Sequence, residues 1–151
     1  MKAVRPIPSF AGLQPASERS RRAAKGSSKK TDTKCELALR RELWKRGLRY
    51  RVDVGFLPGR PDIVFTRKKV VVFCDGDFWH GRDLTARLTR LARGNNGDYW
   101  SAKILGNVKR DASNTRRLRR AGWSVIRVWE RDILRDVDTV ANRIARHLGV
   151  R

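Results

Sequence analysis

Apolar positions recur along the chain with two different periods, and the changes between them mark out the elements. Thr33-Lys34-Cys35-Glu36 has the capping-box pattern and opens a helix with Leu39 and Leu43 on one face; Gly47 stops it. Tyr50, Val52 and Val54 then alternate, which predicts a strand. Residues 55–61 hold two Gly and two Pro and read as a loop. A second strand starts at Asp62 and ends at Phe65, and residues 66–69 turn the chain into 70–75. That last run is continuously apolar until its final acid, the mark of a central strand buried on both faces.

The second half follows the same logic. Residues 100–121 predict a long helix with Ile104, Val108 and Leu118 inward, ended by Gly122. Residues 123–129 predict a fourth strand. Val137, Val140, Ile144 and Leu148 lie at helical spacing in a last helix over 136–148. The predicted fold is α/β, a mixed four-stranded sheet flanked by helices in the order α-β-β-β-α-β-α.

Residues 1–31 have no such periodicity. They contain Pro6, Pro8 and Pro15, followed by a Ser- and Arg-rich stretch, and carry eight Lys and Arg against one Glu. This predicts a flexible basic N-terminal arm ahead of a single folded domain over 32–151. The whole chain of 151 residues has 36 Lys and Arg against 15 Asp and Glu, a formal charge of +21. Such a charge calls for a polyanion, and the excess of Arg over Lys suits phosphate and guanine contacts. At 40% hydrophobic residues, with 5 Trp and 5 Phe, the domain still has material for a core. Cys35 and Cys74 are too few for a disulfide framework or a four-cysteine zinc site. The sequence contains neither a membrane span nor a secretory signal, so the expected location is cytoplasmic.

Candidate chemistry gathers at the ends of the strands. If Phe65 lies opposite Val70, the hairpin places Asp62 opposite Phe73. Asp62 and Asp75 then share one face as diagonal neighbours, roughly 7 Å apart at their β-carbons. Two carboxylates so placed repel unless a cation lies between them, and Mg²⁺ is the cation nucleases use there. The alternative is that each acid merely shapes a turn. Glu36 shares a helix face with Leu39 and Leu43, so it points inward, although a capping box gives it a structural task as well. Asp75-Gly76-Asp77-Phe78-Trp79-His80 is the densest signal in the chain. His80 titrates near neutral pH and is placed to accept a proton from water. Phe78 and Trp79 read as core, as a hinge, or as a wedge between bases.

Gly59-Arg60-Pro61-Asp62, Val71 to His80, Tyr99-Trp100, Lys103-Ile104, Asn107 to Asp111, Leu118, Gly122-Trp123 and Val128-Trp129-Glu130 together resemble the very short patch repair endonucleases. The likeness spans roughly residues 30 to 135, and the combination is far more specific than any single motif. It implies a fold like the PD-(D/E)xK nucleases and Mg-dependent nicking of duplex DNA beside a T:G mismatch, in repair of deaminated 5-methylcytosine. Asp62 matches the catalytic aspartate that holds Mg²⁺, and Cys74 the position whose backbone carbonyl completes metal binding. His80 matches the general base and Glu36 the active-site glutamate of the first helix. Asp75 stands where a histidine is usual and resembles the second acid of the broader nuclease pattern, so the resemblance implies a further metal ligand there. Phe78, Trp79 and Trp100 match the DNA-binding aromatics that intercalate beside the mismatch.

The family often carries a structural zinc, bound just after the Phe-Trp-His stretch and just after Trp-Glu. Here those places read Gly81-Arg82-Asp83-Leu84 and Glu130-Arg131, so zinc is not expected, and residues 82–97 are expected to be held by packing alone or to order on DNA. The expected partner is double-stranded, mismatched DNA, met by a monomer associated with a bacterial nucleoid. Two rivals stand beside this reading: a restriction-like or structure-specific nickase of the same fold, and a basic DNA-binding module without catalysis.

Overall fold

The structure, a computed structural model, describes residues 32–77 and 81–150, and Glu18 alone from the N-terminal segment. The predicted arm over 1–31 otherwise lies outside the described residues, as do Phe78, Trp79 and His80.

Helix α1 (Lys34–Lys45) begins where the capping box places it. Thr33 is extended, and its hydroxyl accepts from the Glu36 amide. The reciprocal half differs: the Glu36 carboxylate reaches one residue further back and accepts from the Asp32 amide at 2.9 Å. Strands β1 (Ile63–Phe65) and β2 (Val70–Asp75) form an antiparallel hairpin with Phe65 opposite Val70, the register inferred from the four-residue turn. Two helices follow, α2 (Leu84–Ala92) and α3 (Gly97–Arg120). They form the crossover that brings β3 (Ser124–Trp129) alongside β2 in parallel. Helix α4 (Glu130–Arg135) leaves β3 directly, and α5 (Val137–His147) closes the domain, capped by the Asp136 side chain on the Thr139 amide.

Strand alternation sorts the core into two faces. Ile63, Phe65, Val70, Val72, Ile126 and Val128 pack with Leu39 and Leu43 of α1, Ile133 of α4 and Ile144 of α5. Val64, Val71 and Phe73 face the other way and meet Leu118 of α3. β2 lies in the middle of the three strands, which explains its unbroken apolar run.

Three expectations need correction. The sheet has three strands among the described residues, and the predicted strand over Tyr50, Val52 and Val54 reduces to one bridge, Arg51 to Val64. Asp53 has a left-handed backbone (φ 56°), which ends extended pairing, and Val52 is exposed. Second, α2 and α4 have no counterpart in the predicted order, which becomes α-β-β-α-α-β-α-α. α2 buries no residue, and α4 is too short for its period to show. Third, Val108 is half-buried rather than core: its side chain packs beneath Gly81, where an added Cβ would come within 2.6 Å of it.

Leu118→Ala should lower unfolding free energy by about 3 kcal/mol, since a fully buried leucine leaves a cavity between α3 and the sheet. Leu105→Ala, at an exposed position of the same helix, should cost less than about 1 kcal/mol. Urea titration of both variants checks the pair.

Candidate active site at the end of the hairpin

The site is built where β1 begins. Gly59 (φ 77°) and Arg60 (φ 50°) turn the chain in left-handed conformations. Gly59 has no room for a side chain, because an added Cβ would lie 3.0 Å from Asn114 and 3.2 Å from the Phe73 ring. Pro61 is buried beside it, and the chain enters the sheet at Asp62, whose amide donates to the Val72 carbonyl at 3.0 Å. One step further the ladder is carried by a side chain: the Cys74 amide donates to Asp62 Oδ2 at 2.6 Å. The Asp62 carboxylate thus acts as acceptor just before β1, where the strand gives way to the turn.

Asp62 is pushed up to about 7. Burial is the main cause; the negative charges of Glu36 and Asp75 add to it, while the Cys74 amide and Arg40 work against it. Glu36 and Asp75 are therefore each within electrostatic reach of Asp62, and burial together with their charge outweighs the Cys74 amide and Arg40.

Glu36 and Asp75 are both buried, and each has its own cation. Arg40 lies one turn after Glu36 and spans to it at 3.4 Å and to Asp32 at 2.6 Å. Asp75 ends β2 and receives Arg127 Nη1 on both carboxylate oxygens, at 3.0 and 3.1 Å. Arg127 comes from β3 and is held on every side. Its Nε donates to Thr115 Oγ1 at 3.1 Å, its Nη2 to the Asp111 carbonyl at 3.3 Å, and its guanidinium lies 4.1 Å over the Phe73 ring. Sequence reasoning missed Arg127. The signal was present: an arginine inside a buried strand, on the face of Phe73 and Asp75, requires an anion.

Cys74 contributes its amide, and burial pushes its thiol up. Trp100 is half-buried in the first turn of α3, edge-on to Tyr99 at 5.0 Å, with Lys103 Nζ 5.6 Å above its ring. Phe78, Trp79 and His80 fall outside the described residues. Among the described residues no three His, Cys, Asp or Glu side chains converge as a ready-made metal cluster. Arg82 corrects the expectation that packing alone holds its segment, for it pairs with Asp132 at 3.0 Å.

Comparison with known proteins supplies the family. The family described as DNA mismatch endonuclease Vsr matches residues 15–86, a stretch that holds Glu36, Asp62, Cys74, Asp75 and His80. The type II nicking enzyme V.NmeDIP of Neisseria meningitidis serogroup C is 42% identical over 118 residues, covering 78% of each chain. The type II nicking enzyme V.HpaIIP of Haemophilus parainfluenzae is 40% identical over 119 residues, 79% of this chain and 83% of that one. The DNA mismatch endonuclease Vsr of Escherichia coli (strain K12) is 38% identical over 99 residues, 66% of this chain and 62% of its own. With relatives this similar across most of its length, the chain belongs to the DNA mismatch endonuclease Vsr family, and it is a DNA endonuclease.

Proposed function

We propose that the protein nicks one strand of duplex DNA beside a T:G mismatch, with Mg²⁺ as cofactor, in the repair of deaminated 5-methylcytosine. The observation that carries this reading is the state of Asp62: a half-buried carboxylate, fixed by the Cys74 amide, with two further acids raising its proton affinity. A group in that condition gains most from a divalent cation, so the residues present fit one. Asp62, the Cys74 carbonyl and Asp75 would hold it, and when bound it supplies positive charge to the phosphate and to the leaving oxygen. Asp75 can serve while paired with Arg127, because a carboxylate has about four lone-pair sites.

The chain's own residues do the rest. His80 takes the proton from the attacking water. Glu36, on the first helix, adds to the negative field around Asp62 and is held by Arg40. Phe78, Trp79 and Trp100 stack in the step opened beside the mismatch, which is cheaper to open than a paired step. Phosphate contacts come from the basic arm and from α3, where Lys109, Arg110, Arg116, Arg117, Arg119 and Arg120 are all exposed. No helix among the described residues is long and apolar enough to cross a membrane. We take the partner to be double-stranded DNA met by a single copy of the chain.

A second reading is a restriction-like or structure-specific nickase of the same fold, which the name type II nicking enzyme given to two relatives leaves open. Duplexes of one sequence carrying T:G, other mismatches or only paired bases, incubated with Mg²⁺, separate the two. Strong preference for T:G supports the first, and equal cutting of the paired duplex supports the second.

Asp62→Asn should lower nicking by roughly 10³-fold, the several kcal/mol that metal-assisted chemistry supplies, while DNA binding is kept or tightened. The same variant tests the electrostatics in the presence of chelator. Because the folded protein holds the Asp62 proton up to about 7 against an ordinary 3.8, its stability falls as pH rises through that window. Asp62→Asn should therefore melt higher than the wild type at pH 8 and like it below about pH 4. Deleting residues 1–31 should weaken binding equally on all sequences and flatten its salt dependence by about 0.9 log units for each phosphate no longer neutralised. A change in mismatch preference would instead make the arm a reader of sequence.

A further inference from the structure

Two chain segments leave the sheet at the same end. β2 and β3 are parallel neighbours whose last register pair is Asp75 with Trp129, so Asp77 lies two residues beyond one strand and Asp132 three beyond the other. Between these segments lies a small set of charges outside the acids already described. Arg82 Nη1 is 3.0 Å from Asp132 Oδ1 and 3.5 Å from Asp77 Oδ1, and Arg131 Nε is 4.0 Å from Asp77 Oδ2. The Arg82 guanidinium lies 5.7 Å from the Trp129 ring.

The backbone supports the same contact. The Arg82 amide donates to the Asp77 carbonyl at 3.1 Å. Gly81 (φ 77°) lets the chain approach α3 so closely that Val108 and Leu84 fill the place of a side chain. Asp77 Oδ1 and Arg82 Nη1 are shielded from solvent, and neither has a hydrogen bond of regular geometry among the described residues. Their charges are balanced by each other and by Asp132, and little by water.

We propose that Asp77, Arg82 and Asp132 are positioning residues: they form an ionic clasp between the chain leaving β2 and the chain leaving β3, and so fix both ends of the stretch that carries His80. The consequence for catalysis rests on the proposed role of His80 as general base. The Arg82–Asp132 pair contributes little to global stability, since Asp132 is 41% accessible. What they determine is where the turn sits, and a reacting group displaced by about 1 Å can lose 10²-fold in rate. The clasp also commits Arg82 to carboxylates, so it is not available as a phosphate contact.

The test uses the full chain and four variants: Arg82→Met, Arg82→Lys, Asp132→Asn, and Arg82→Met combined with Asp132→Asn. Three quantities are read: single-turnover nicking of a T:G duplex at saturating enzyme, affinity for paired DNA with its salt dependence, and amide exchange at residue 82. Arg82→Met should cut the single-turnover rate by about 10- to 10²-fold and speed exchange at residue 82, with affinity and salt slope unchanged. Asp132→Asn should act in the same direction but less, the double variant should be no worse than Arg82→Met, and Arg82→Lys should restore most of the rate.

The proposal is overturned if Arg82→Met weakens binding and lowers the salt slope by about one while Asp132→Asn tightens binding, for Arg82 is then a phosphate contact. It is also overturned if exchange and rate stay at wild-type values, or if exchange speeds up with no change in rate. Should the wild type nick no duplex at all, the proposed function fails. Coupled exchange between Arg82 and Asp132 would still establish the clasp, and its absence would remove that as well.

Discussion

The hydrogen bond from the Cys74 amide to Asp62 is the contact on which the site depends. It lies just beyond the last β1–β2 register pair, Ile63 with Val72, so a side chain continues the pairing. That makes the position of the carboxylate a property of the sheet rather than of a flexible loop. It also fixes the cost, because the same placement buries Asp62 within reach of Glu36 and Asp75 and pushes it up to about 7. Turn, hairpin register and first helix must all be in place for three acids to share this space.

The fold tolerates that concentration of negative charge by giving the outer two acids their own arginines, one from each layer. Glu36 is balanced from within α1 by Arg40, and Asp75 from β3 by Arg127, which is braced by α3. Asp62, between them, has an amide as its nearest donor. Leaving one half-buried acid short of positive charge in a chain of +21 has a physical sense when the missing charge is to come from outside. Many further cations face solvent, six of them on α3, and others are plentiful in the N-terminal sequence, where they suit a polyanion.

Legibility in the sequence followed the range of the interactions. The capping box at Thr33, the register of the hairpin and the helical spacing of Val140 and Ile144 involve neighbours along the chain, and the structure has them. Alternation at Tyr50, Val52 and Val54 misled, because one left-handed residue at Asp53 undoes an extended segment whatever its apolar pattern. α2 escaped notice since it buries nothing and so lacks the stripe that periodicity detects. Within the site, Asp62, Asp75 and Glu36 were readable as acids at strand and helix ends. Arg127 was not paired with Asp75, because that bond spans 52 positions.

By itself the sequence determined the class of fold, the central position of residues 70–75, the basic character that selects a polyanion, and the family. These depend on composition, on short-range periodicity and on a motif set that no rearrangement alters. Only the tertiary structure decided which cation answers which acid, that Asp62 is held by an amide, and that Arg82 joins the chains leaving two parallel strands. Such pairings compensate charges removed from water, and the compensating group is chosen by distance in space, which separation along the chain does not reveal.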